Sequence, residues 1–112
     1  MKKESEAVLL RIFIGEDDKY DGKPLYKHLL EFFKKEKMAG VTVLRGIDGF
    51  GKSSHLHTTS ILRLSTDLPI IIECVDKKEN IDKIKPMLDT IIKEGLITEG
   101  VVRIILYEGN KK

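Results

Sequence analysis

The chain has 112 residues, enough for one domain with a hydrophobic core of its own. Charged residues make up 34% and hydrophobic residues 41%, a balance that excludes a disordered chain. A net charge of +2, acids interleaved with the lysines, and only four Phe, three Tyr and no Trp argue against a nucleic-acid-binding face. The one cysteine, Cys74, excludes an internal disulfide; set in an apolar run, it reads as a buried core residue. No run is long enough for a membrane span, and MKKESEA lacks the apolar segment of a signal peptide, so the cytoplasm is the expected location.

The predicted elements follow in chain order. Ala7 to Ile14, AVLLRIFI, is a strand preceded by a short extension, residues 1–6. GEDDKYDG breaks it with acids and glycine; Asp17 and Asp18 there suit solvated or capping roles better than a metal site. Pro24 to about Met38 is helical, with Leu25, Leu29, Phe32 and Phe33 on one apolar face and Gly40 as the stop; His28 is a surface or boundary residue of this helix. Val41 to Leu44 is the second strand. The stretch 47–60 is a flexible central loop, with Ile61 to Leu64 continuing its far arm. STDLP turns the chain into the third strand, Pro69 to Val75. Asp76 and Glu79 resemble a capping box for a second helix that carries Ile81, Ile84, Leu88, Ile91 and Ile92 as far as about Lys93. Pro86 kinks this helix or shifts its start, and Gly95 ends it. LITEG then leads as a loop to the last strand, Val101 to Tyr107, and residues 108–112 form a polar tail.

The central stretch carries the chemistry. Gly46, Gly49 and Gly51 stand within six positions and are followed by Lys52, Ser53 and Ser54. Glycines there can turn backbone N–H groups toward phosphate oxygens beside a lysine, or can serve turns alone. GIDGFGKS, Gly46 to Ser53, also fits the G-x-x-x-x-G-K-[ST] loop of nucleotide hydrolases. That reading requires a parallel strand before the loop and a helix opening at Lys52, where SSHLHTTS is a poor helix former. His55 and His57 form an H-x-H pair that binds zinc only if a third ligand arrives. No metal site is expected from this pattern.

The order β-α-β-loop-β-α-β closes most simply as an α+β, ferredoxin-like domain: βαββαβ, a four-stranded antiparallel sheet with two helices on one face. IIIECV and VVRIILY place apolar residues on both faces of that sheet. Two helices cover one face, so other copies of the chain are the natural cover for the second, which predicts a closed homo-oligomer with ligand-sized clefts between subunits.

LRIFIGEDD, GKPLYKHLLEF, AGVTVLRGIDGFG, LSTDLPIIIECVD and EGLITEGVVRIILY together resemble the PII signalling proteins, and more closely the PII-like domain-of-unknown-function 190 group. The resemblance spans Leu9 to Tyr107. It implies a homotrimer that binds an adenine nucleotide (ATP, ADP or AMP) between subunits and is not an enzyme. The phosphates would be held by the loop root, Gly49-Phe50-Gly51-Lys52 with Gly46, and by Thr98, Glu99 and Gly100 before the last strand, with Arg103 just beyond. The central loop would meet a protein target such as a transporter or an enzyme. Ser53 stands where PII proteins carry glutamine, no tyrosine lies between Ile47 and Leu68, and the tail lacks paired arginines. Sensing of 2-oxoglutarate and regulation by uridylylation are therefore not implied. The alternatives are a small nucleotide hydrolase using Gly46 to Ser53, and a trimeric metal-binding module using His55 and His57.

Overall fold

The computed structural model describes residues 1–49 and 67–109. Its elements are β1 (Lys2–Gly15), β2 (Lys19–Tyr20), β3 (Lys23–Pro24), α1 (Leu25–Lys35), β4 (Val41–Arg45), β5 (Pro69–Asp76), α2 (Lys78–Leu88) and β6 (Leu96–Tyr107). β4, β5, β1 and β6 form, in that order, one four-stranded sheet, and each pairing is antiparallel. This is the expected ferredoxin-like arrangement.

The period of two along the strands decides which side chains are covered. Leu10, Ile12 and Ile14 of β1 point to the same face as Ile70, Ile72 and Cys74 of β5, and all are buried. Against them pack Leu25, Leu29 and Phe33 of α1 and Ile81, Ile84 and Leu88 of α2, residues spaced three or four apart on one side of each helix. Both helices therefore lie on one face of the sheet. Among the described residues no helix is long and apolar enough to cross a membrane.

The helix ends differ from expectation. α1 is stopped by Lys37, not Gly40: Lys37 takes φ 60°, its N–H donates to Lys34 O, and Met38 N–H donates to Phe33 O. This is a Schellman closure with lysine in the left-handed position that glycine usually fills. α2 ends at Leu88 rather than near Lys93, with Pro86 inside its last turn. Tighter bonds, Thr90 N to Met87 O and Ile91 N to Leu88 O, carry the chain on, so Ile91 stays buried after the helix has ended.

Asp76 is not the N-cap of α2, and no capping box forms; Lys77 holds the cap position. Only 7% exposed, Asp76 accepts hydrogen bonds from Ala39 N (2.8 Å), Lys77 N (2.7 Å) and the Asn80 amide (2.9 Å). Burial pushes this carboxyl up, but the hydrogen bonds from Asn80, Ala39 and Lys77 outweigh it and hold the group below the ordinary carboxylate range. It ties the corner between β5 and α2 to the connection leading into β4.

Two strands are longer than expected. β1 begins at Lys2, so residues 2–6 of the expected extension pair with Arg103 to Tyr107 of β6. β6 begins at Leu96, so LITEG is strand rather than loop. The same two strands reach beyond the covered body, where Val101 and Tyr107 are 70% and 71% exposed.

Candidate functional site

One end of the sheet gathers the residues of interest. Gly15 of β1 lies opposite Pro69 of β5, Arg45 of β4 opposite Ile70, and Leu96 of β6 opposite Phe13. The root of the glycine stretch, the β1–α1 connection and the α2–β6 turn all leave the sheet here.

At the glycine root, Gly46 N donates to Pro69 O at 2.7 Å, and a Cβ on Gly46 would lie 2.8 Å from Pro69 Cγ. This glycine is required by the close approach of the chain to Pro69, and its N–H is already used. Gly49 has φ +142°, a backbone state that disfavours side chains, and its N–H donates to the Asp48 carboxylate at 2.8 Å. Phe50, Gly51, Lys52, His55 and His57, with Ile61 to Leu64, lie outside the described residues.

The β1–α1 connection is built by its acids. Asp18 accepts from Gly15 N at 2.9 Å, Asp67 accepts from Asp17 N at 3.3 Å, and Glu16 pairs with Arg45. A Cβ on Gly15 would meet Asp67 Oδ1 at 2.4 Å, so glycine is needed where these acids close over the strand end. Beyond them β2 and β3 form a small hairpin, turned by Asp21 and Gly22, both at positive φ. Tyr20 of this hairpin stacks on His28 of α1 with centroids 4.1 Å apart, which makes His28 a boundary residue. The Asp18 carboxylate thus serves the turn and Asp17 takes part through its backbone N–H, and no group of three metal-ligating side chains occurs among the described residues.

The second part of the expected phosphate site does not gather at this end. Thr98, Glu99 and Gly100 sit in β6 opposite Arg11, Leu10 and Leu9. Glu99 is held by Lys85 at 2.6 Å, a bond that also keeps the Lys85 ammonium above its ordinary range. Arg103 lies farther along β6, opposite Glu6, and contacts Glu4 at 3.3 Å. Glycine inside ITEGVV looks like a loop residue, yet nothing lies within 4 Å of a Cβ built at Gly100, so the strand simply runs through it.

The true α2–β6 turn is 89–95. It faces the β2–β3 hairpin across a cleft of about 450 Å³, lined by Asp18 to Asp21 on one side and Thr90, Ile91, Lys93 and Glu94 on the other, together with Leu25. Among the described residues Lys19 and Lys93 are the cations of this cleft. The dipeptide Asp21-Gly22 was a legible hairpin signal, and the polar pair Asp89-Thr90 a legible end to the helix.

The topology also removes the hydrolase loop's context. Among the described residues β4 lies at the edge of the sheet and pairs antiparallel to β5, whereas a phosphate-binding loop of that class follows a strand in a parallel sheet.

A βαββαβ sheet with helices on one face and loops gathered at one end is the architecture of PII-like proteins. A PII-like protein from Thiomonas intermedia K12, solved bound to ADP and bicarbonate, superposes with a TM-score of 0.58 at 14% identity, over 91% of each chain. A PII-like signaling protein from Thermus thermophilus gives 0.59 at 17% identity, covering 92% of this chain and 91% of that one. At these identities the likeness establishes the fold. The family comes from sequence: the DUF190 profile, described as "Uncharacterized ACR, COG1993", matches residues 7–104. A UPF0166 protein of Methanocaldococcus jannaschii is 44% identical over 93 residues, 82% of this chain and 85% of the relative. One from Aquifex aeolicus is 41% identical over 99 residues, 87% and 91% of the two chains. The chain belongs to the DUF190 (UPF0166) family.

Proposed function

We propose that this chain is a non-enzymatic, cytoplasmic PII-like sensor that assembles as a homotrimer, binds an adenine nucleotide between subunits, and offers its central segment, residues 47–60, to a protein partner. The observation that carries this reading is the gathering of the glycine root, the β2–β3 hairpin and the α2–β6 turn at one end of a PII-like sheet. The ADP-bound Thiomonas protein of the same fold supports the choice of ligand class.

In place of Thr98, Glu99, Gly100 and Arg103, the α2–β6 turn offers Lys93 and Thr90, and Lys52 with Gly49 to Gly51 remains the other half. The cleft by itself carries the carboxylates of Asp18, Asp21 and Glu94 against the ammonium groups of Lys19 and Lys93. A bare phosphate therefore needs Lys52 as a further cation. For binding to signal, the nucleotide must favour one arrangement of the central segment over another.

Titration calorimetry with ADP, ATP and AMP tests this. Losing one charge-assisted contact costs about 1.5–3 kcal/mol, so Lys52→Ala and Lys93→Ala should each weaken binding roughly 10- to 100-fold. Absence of binding to the unaltered protein at millimolar nucleotide, or unchanged affinity in both variants, contradicts the assignment.

A further inference from the structure

Where β4, β5, β1 and β6 run side by side, the face of the sheet turned away from the helices is apolar except along one row. Strand register sets Thr42 opposite Glu73, Glu73 opposite Arg11, and Arg11 opposite Thr98, so four polar residues cross all four strands in a line. On one side of this line run Leu44, Ile71, Phe13 and Leu96; on the other, Val75, Leu9 and Gly100. Within the row Arg11 Nε donates to Glu73 Oε2 at 2.8 Å, with side chains 47% and 29% exposed.

Covering this face forces the ion pair out of water. That is tolerable only if the remaining hydrogen-bonding capacity of both groups is met. A guanidinium carries five N–H donors, and among the described residues Arg11 uses one of them. The row has no net charge and carries both signs with a hydroxyl at each end. A uniformly acidic or basic partner would gain at one residue and lose at the other. A second copy of the chain matches it: apolar rows meet apolar rows, and the spare donors of one Arg11 meet the other copy's Glu73.

We propose that this row sets the register of the subunit interface, with Arg11 of each copy donating to Glu73 of the next as well as to its own. Around a threefold axis the contact repeats into a closed ring of alternating charge. The inference rests on the assembly reading above and adds which residues decide it. A buried polar group that fixes one register among several is a well-attested role for such pairs.

Charge reversal tests it, read by native mass spectrometry and sedimentation, with circular dichroism to confirm folding. R11E gives a wholly acidic row and E73R a wholly basic one. Each alone should weaken assembly roughly 100-fold or more through like charges placed side by side. An equimolar mixture of the two should co-assemble into three-chain species containing both chains, more stable than either reversal alone and weaker than the unaltered ring, because two of the three contacts then join an acidic row to a basic one and one like-charged contact remains. Should either reversal fail to fold, the neutral pair R11Q/E73Q should fold and assemble at least tenfold more weakly. An unaltered protein that assembles, with R11E assembling equally well or with no rescue on mixing, overturns this inference and leaves assembly standing. An unaltered protein that stays a single chain overturns both.

Discussion

The two faces of this sheet are made by the same strands, one residue out of phase. Leu10, Ile12, Ile14, Ile70, Ile72 and Cys74 turn one way and are closed over by helices. Leu9, Phe13, Ile71 and Val75 turn the other way, are as apolar, and stay partly open because no described element of the chain reaches them. Across β1 and β5 the covered face is nonpolar up to Asp76 at its edge, whereas the open face carries Arg11 and Glu73 across its middle. Where a chain covers itself, packing alone suffices to hold one arrangement. Where the cover is another molecule, a polar row can say which arrangement is correct.

The largest effects should separate the faces. Ile12→Ala leaves a void under both helices and should cost about 2–5 kcal/mol in urea unfolding. Phe13→Ala, one residue on, should cost the isolated chain much less and appear instead as weaker assembly on dilution. Equal losses of chain stability at both positions would erase the distinction.

Asp76 sits at the edge of the covered face, where β5 ends before α2. Asp76→Ala strands the Ala39 N–H, the Lys77 N–H and the Asn80 amide, and should cost about 1–3 kcal/mol. Since the folded carboxyl is held below its ordinary value, its contribution is present above the unfolded value of about 3.9 and is lost as pH falls through the lower folded value. The stability gap between the unaltered protein and Asp76→Asn should therefore narrow in acid urea titrations. A gap independent of pH would contradict the assigned hydrogen bonds.

A smaller effect should appear at the end of α1. Lys37→Gly relieves a left-handed lysine and should raise stability by about 1 kcal/mol, read by thermal unfolding. The smallest perturbation is chemical. Burial, with the Asp76 charge beside it, pushes the Cys74 thiol up to about 11, so at neutral pH it should react with a thiol reagent only as fast as the chain opens. Rapid labelling of the folded protein would show that the covered face is not closed.

Much of the fold was legible because its signals are periodic. Leu25, Leu29 and Phe33, and Ile81, Ile84 and Leu88, mark both covered helix faces, and the doubly apolar strands announced an uncovered one. The site was less legible because it depends on where elements end. Gly100 imitated a loop inside a strand, so Thr98, Glu99 and Gly100 were expected in a loop where the structure has β6. Gly46 looked like part of a phosphate cradle, but its close approach to Pro69 is a packing requirement that only three-dimensional contact reveals. Lys37 took a glycine's place at a helix end, against residue preference, because Met38 and Phe33 close the turn around it.

Native mass spectrometry of the full chain, with and without added ADP, distinguishes a nucleotide-binding trimer from a lone chain. A trimeric sensor gives a three-chain mass that gains up to three nucleotides, with gain reduced in Lys93→Ala. A single-chain mass that takes up no nucleotide at the same concentrations would contradict it.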